Sequence, residues 1–84
     1  MKNRLVLIEW EDSSQPVSNW QFLSDIKPEV VRIASVGWLA KDGKKVKALA
    51  PNVGGLDGKC SAQVSGVISI PTRCVISITD LIER

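Results

Sequence analysis

The densest group of chemistry-bearing side chains is the basic run Lys41, Lys44, Lys45 and Lys47, interrupted by Asp42 and Gly43 and preceded by Trp38. Cations beside an exposed aromatic ring suit a single-stranded nucleic-acid surface, the ammonium groups meeting phosphate and the ring stacking on bases. The plainer reading is that lysines at a hairpin end stop an exposed strand edge from pairing with other chains. Glu9, Glu11 and Asp12 form the one concentrated carboxylate group. In a regular strand Glu9 and Asp12 point to opposite faces and no spaced ligand loop follows, so a solvated strand end is favoured over a calcium or magnesium site. Cys60 and Cys74 lack both the paired spacing of a zinc knuckle and an acid–base neighbour. The chain has no histidine, which removes the commonest general base and metal ligand together. No catalytic, metal-binding or cofactor-binding residue is assigned, and no small-molecule substrate is implied.

Trp10, Trp20 and Trp38 are a large aromatic content for a chain with one phenylalanine and no tyrosine. Exposed tryptophans anchor interfaces, and a thin core rarely hides three indoles completely. At least one of them is expected to reach a protein partner or a sister subunit. The candidate partner-binding residues are therefore Trp38, Lys45, Lys47, Lys44, Trp10 and Trp20.

The elements that position these residues must come from 84 residues, read as one domain over residues 1–84. A domain of that size hides only about 60–65% of its unfolded surface. Apolar residues make up 44% and charged residues 24%, an ordinary globular composition. The net charge of +2 gives no long-range pull toward phosphate. No apolar run approaches the ~20 residues of a membrane span, and Leu5-Val6-Leu7-Ile8 stops at Glu9, too short for a signal-peptide core. A cytosolic setting is expected, with no membrane partner and with Cys60 in a loop and Cys74 in a strand as free thiols.

Residues 5–10 read as a first strand, with Val6, Ile8 and Trp10 on one face, ended by the polar run of residues 11–16. Ser18 can cap a short helix over residues 19–26, with Gln21 reaching back and Val17 stapling to Phe22. Lys27-Pro28 stops it, and Trp20, Phe22, Leu23 or Ile26 must pin it to the sheet, since two turns do not hold themselves together. Residues 29–51 read as a long hairpin around Asp42-Gly43. Residues 51–59 form a glycine-rich loop whose spacing does not cradle a phosphate. Residues 61–70 and 74–78 are two further strands separated by a break at Pro71-Thr72-Arg73. Leu81 and Ile82 are then left to cover one end.

Two registers of the hairpin compete. A two-residue Asp42-Gly43 loop sets Leu39 against Val46 and Trp38 against Lys47 on a wet face. A three-residue loop that adds Lys44 sets Trp38 against Ala48 and buries the indole. The first is preferred because it keeps Lys45 and Lys47 among solvent-side residues.

These elements amount to an all-β fold with one short helix, a small five-stranded antiparallel barrel. The run Gly66-Val67-Ile68-Ser69-Ile70-Pro71-Thr72-Arg73-Cys74-Val75-Ile76-Ser77-Ile78 resembles the end of an SH3-like barrel, where an apolar-Pro step and one 3₁₀ turn lead into the closing strand. Glu11 and Asp12 recur from the acidic first loop of true SH3 domains but its tyrosines do not, so polyproline binding is not implied. The order of Leu7-Ile8-Glu9-Trp10-Glu11-Asp12-Ser13, Trp20, Ser35-Val36-Gly37-Trp38-Leu39, Lys47-Ala48-Leu49-Ala50-Pro51 and Ile70-Pro71-Thr72-Arg73-Cys74-Val75 resembles short uncharacterised proteins of tailed phages and prophages. That resemblance implies a setting, the host cytosol or the virion, and no catalytic residues. The expectation is a non-enzymatic protein that contacts a protein partner or itself. The alternative is a single-stranded nucleic-acid-binding accessory protein using the hairpin from Lys41 to Lys47.

Overall fold

Alternation in the first strand decides which side of the sheet becomes the core. In the computed structural model, which describes residues 3–82, β1 (Leu5–Ser13) buries Val6 and Ile8 completely and leaves Leu5 and Leu7 half-buried on the other face. Strand β2 (Val30–Asp42) pairs antiparallel with all nine residues of β1, from Leu5↔Trp38 to Ser13↔Val30. β1 runs three residues past Trp10, its expected end. Backbone pairing across to residues 30–32 continues where the apolar alternation has stopped.

The chain continues through β3 (Val46–Ala50), β4 (Asn52–Gly54), β5 (Gln63–Ser65), β6 (Ile68–Pro71) and β7 (Val75–Asp80). One sheet has the order β6-β3-β2-β1-β7, antiparallel throughout, and β4 and β5 form a second, two-stranded sheet. The all-β antiparallel character expected from the sequence is present. β6 and β7 lie at opposite edges of the main sheet, and no closed barrel is found among the described residues. The core gathers Val6, Ile8, Leu39, Leu49 and Ile70, with Trp10, Val75 and Ile78 packed against it. Fully burying one such aliphatic side chain contributes roughly 1.5–3 kcal/mol, so these few residues carry most of the fold. Gly37 sits opposite Val6 because a side chain there would meet the Ala50 carbonyl at 2.7 Å.

The short helix over residues 19–26 does not form. Its place is taken by one 3₁₀ turn, Leu23–Asp25, whose N-cap is Phe22 rather than Ser18. Val17, Trp20, Phe22, Leu23 and Ile26 are exposed, so nothing pins the segment to the sheet and the cost of nucleating a helix is not recovered. The expected loop over residues 51–59 holds β4, and the strand over residues 61–70 is broken into β5 and β6. The break falls at Gly66, whose φ of +73° bends the strand beside Pro51, the kink between β3 and β4, while the antiparallel register is the same on both sides of the bend. Cys74 ends a 3₁₀ turn (Thr72–Cys74) instead of starting a strand. Ile82 is exposed and covers nothing, while the Leu81 amide donates to the Leu5 carbonyl at 2.9 Å.

The hairpin takes neither expected register. Trp38 pairs with Ala50 and Leu39 with Leu49, then a bulge at Ala40 shifts the ladder so that Lys41 pairs with Ala48 and Asp42 with Lys47. The Gly43 amide donates to the Val46 carbonyl at 3.1 Å, leaving Lys44 and Lys45 at the tip. Gly43 is not among the glycines with positive φ. The turn was misplaced because a bulge leaves no mark in the alternation, and because the pairing of Asp42 with Lys47 favours a ladder that runs through Asp42.

Substitution of Ile8 or Ile70 by alanine is expected to cost about 2–5 kcal/mol each in urea unfolding, by lost transfer energy and a residual cavity. Ser18→Ala is expected to stay within about 0.5 kcal/mol of the parent, since it caps no helix.

Candidate interaction surface

Three side-chain groups emerge from this architecture. The first is the hairpin tip. The Gly43 carbonyl accepts hydrogen bonds from Lys47 Nζ at 2.9 Å and Thr72 Oγ1 at 3.1 Å, and the Thr72 amide donates to the Lys45 carbonyl at 2.9 Å. Lys47 Nζ also donates to Asp42 Oδ1, and its side chain is only 14% exposed. Lys47 is thus turned inward and closes the hairpin on itself, while Thr72 ties the tip to the 3₁₀ turn. Lys44 and Lys45 stay exposed, and with Pro71 and Arg73 they line an open concavity of about 420 Å³. Arg73 was not expected at this place, because the pairing of β3 with β6 that brings it there is not visible in the sequence.

The second group lies on the face opposite the core. Leu5↔Trp38 and Leu7↔Val36 are adjacent pairs whose side chains project outward, Val36 exposed and the other three half-buried. The next outward pair is Glu9↔Ala34, where Arg32 Nη2 bonds Glu9 Oε2 at 3.0 Å and closes the patch with an ion pair. On the β7 side the patch meets Thr79 and Ser77. Trp38 therefore belongs to an apolar patch and shares no surface with Lys47, which pairs with Asp42. The expected outer pair of Trp38 and Lys47 does not exist.

The third group is the connection of residues 14–29, exposed along its whole length and flanked by the two strand ends that extend past the core. Trp20 is 101% exposed, Leu23 87% and Phe22 79%. The remaining candidate, Trp10, is structural: it packs on the core and its indole N–H donates to Ser35 Oγ at 3.1 Å. The six candidate residues are therefore scattered. Lys44 and Lys45 share the tip, Lys47 braces it, Trp38 lies on the outer face and Trp20 on the arm. Phe22 and Leu23 were missed as surface residues because a helix was expected to hide them; Pro16 and Pro28, which bracket the segment, were the available signal against it.

The carboxylates do not converge. Glu9 is paired with Arg32, Asp12 Oδ1 accepts the Ser13 amide at 2.8 Å, and among the described residues no group of three or more histidine, cysteine or acidic side chains is placed to hold a metal ion. Cys60 is exposed, Cys74 half-buried, and both are free thiols. Among the described residues no helix is long and apolar enough to cross a membrane.

The hydrogen bond from Lys47, and then its charge, hold the Asp42 carboxyl below the usual carboxylate range. A depressed acid stabilises the folded state above its unfolded pKa of about 3.9, and the contribution is lost as pH falls through the lower folded value. Lys47→Met is expected to return the Asp42 carboxyl titration, followed by NMR, to the ordinary range. It should also remove the acid-side dependence that this pair gives to stability. A scan of family models finds no match to this chain, and neither the curated proteins nor the solved structures give a significant similarity.

Proposed function

We propose that this is a non-enzymatic contact module of phage or prophage type, binding a protein partner or itself through the apolar arm of residues 14–29. The full exposure of Trp20 beside Phe22 and Leu23 carries this reading. Large apolar side chains left together in water mark an interaction site, and tryptophan is the residue most enriched among binding hot spots. The absence of histidine from the sequence and the dispersal of its carboxylates support a non-catalytic role. The motif order from Leu7-Ile8-Glu9-Trp10 to Ile70-Pro71-Thr72-Arg73 supports the phage setting, in the host cytosol or in the virion. An SH3-like barrel is the finer architecture proposed, supported by the single 3₁₀ turn after Pro71 that carries the chain from the β6 edge to the β7 edge.

The second reading, a single-stranded nucleic-acid accessory protein, is favoured by one observation: Lys44, Lys45 and Arg73 line one concavity. It has lost the stacking partner it needed, since Trp38 is elsewhere.

A photoreactive amino acid in place of Trp20 is expected to cross-link to protein in cells, while the same group at Lys45 gives little product. Nucleic-acid adducts at Lys45 and none at residue 20 would reverse the order of the two readings. Lys44→Glu with Lys45→Glu then decides the second directly. Phosphate-driven retention on single-stranded DNA weakens steeply between about 50 and 200 mM salt, and the double reversal should abolish it.

A further inference from the structure

The arm and the outer sheet face are both apolar, both uncovered, and both on the same chain. The molecule is drawn out to 59 × 27 × 23 Å with a radius of gyration of 17.0 Å, against roughly 12 Å for a compact domain of this length. The arm does not fold back on its own sheet: its apolar side chains stand in solvent at the far end of the β1–β2 ladder. The face that has room for them, formed by Leu5, Leu7, Val36 and Trp38, is near the other end of that ladder.

We infer that the arm of one chain seats on the outer sheet face of a second copy, and that the second copy's arm returns the contact, giving a reciprocal two-fold pair. This rests on the contact-module reading above and names its partner.

Area selects the reciprocal form. Trp20 and Phe22, at 101% and 79% exposure, leave roughly 270–450 Å² open, taking about 150–250 Å² per aromatic side chain. Val17, Leu23 and Ile26, at 63%, 87% and 49% exposure, add roughly 120–240 Å² at about 60–120 Å² per aliphatic side chain. One arm on one face thus removes roughly 390–690 Å² from the arm and at most about 130–240 Å² from the four face side chains, three of them half-buried, which stays below the floor of about 1,000 Å² for a specific interface. Two such contacts bury roughly 1,000–1,900 Å², which clears that floor and reaches the standard size. A single chain supplies both donor and acceptor, so two-fold symmetry satisfies both at once and the assembly closes.

The geometry requires complementation between two kinds of defect. Trp20→Ser with Leu23→Ser damages the arm and leaves the face; Val36→Glu damages the face and leaves the arm. Each variant should fold, because the arm packs on nothing and Val36 points outward; a Val36→Thr variant keeps a strand-favouring residue as a check, and the thermal midpoint verifies both. In sedimentation equilibrium the parent chain is expected to be dimeric. Either variant alone should dimerise about thirtyfold or more weakly, the loss typical of a hot-spot anchor. An equal mixture should form heterodimers more tightly than either variant pairs with itself and more weakly than the parent, since one good arm then meets one good face. A dimeric parent whose mixed variants associate no more tightly than either variant alone would overturn the arm-to-face geometry. A parent that stays monomeric into the millimolar range, while the cross-linker at residue 20 still captures another protein, would overturn the paired form and leave the contact reading standing. A monomer that captures nothing ends both.

Discussion

The nine-residue pairing of β1 with β2 is the constraint from which the remaining features follow. Its first six pairs, from Leu5↔Trp38 to Trp10↔Ile33, lie over the core, where Val6 and Ile8 are fully buried and Trp10 packs at the margin. Its last three pairs, from Glu11↔Arg32 to Ser13↔Val30, have no core beneath them and every residue there is exposed. The ladder hydrogen bonds continue past the point where burial supports them. Consequently the connection between the two strands starts at a distance from the packed region, and its apolar side chains stand clear of it. The same pairing fixes the outer face, because placing Val6 and Ile8 inward places Leu5 and Leu7 outward, opposite Trp38 and Val36.

The hairpin tip obeys a different constraint, that carbonyl groups at a turn need donors. Gly43 and Lys45 offer theirs to Lys47 and Thr72, so the turn is braced from two sides by β3 and by the 3₁₀ turn that follows β6. This bracing takes Lys47 out of solution and leaves Lys44 and Lys45 free beside Arg73. The charge available at the tip therefore comes from two elements far apart in sequence. A basic run in the sequence overstates it locally and misses Arg73.

The sequence made some of this legible and some not, for identifiable reasons. The alternation of Val6, Ile8 and Trp10 correctly marks the inward face of β1, since a half-buried strand leaves a period of two. The break after Pro71 was visible because proline cannot donate to a ladder. The hairpin was visible and its register was not: the bulge at Ala40 moves the ladder past Asp42-Gly43, and Leu39 still meets a large apolar partner, Leu49 instead of Val46. The cap pattern at Ser18 and Gln21 is a local signal, and it failed because no surface of this chain receives the face such a helix would present. Of the candidate site, Trp20 and Trp38 were identified by type alone. That they belong to two separate apolar surfaces follows from strand pairing and extension, which no local pattern encodes.

Those two surfaces also bear on stability. The core has five fully or nearly fully buried side chains in its central cluster, and the conformational entropy that a domain must offset grows with every ordered residue. Residues 14–29 add length and almost no burial of their own. Any partner that binds the arm only when β1 and β2 are paired will stabilise the folded chain by mass action, in proportion to the logarithm of its concentration over its dissociation constant. If that partner is a second copy, unfolding becomes dependent on protein concentration, and substitutions in the exposed arm shift the midpoint at high concentration while leaving it fixed at low. The exposed segment is then a part of the folded unit whose contribution is deferred until association, which explains how so much apolar surface can be retained on a chain with so small a core.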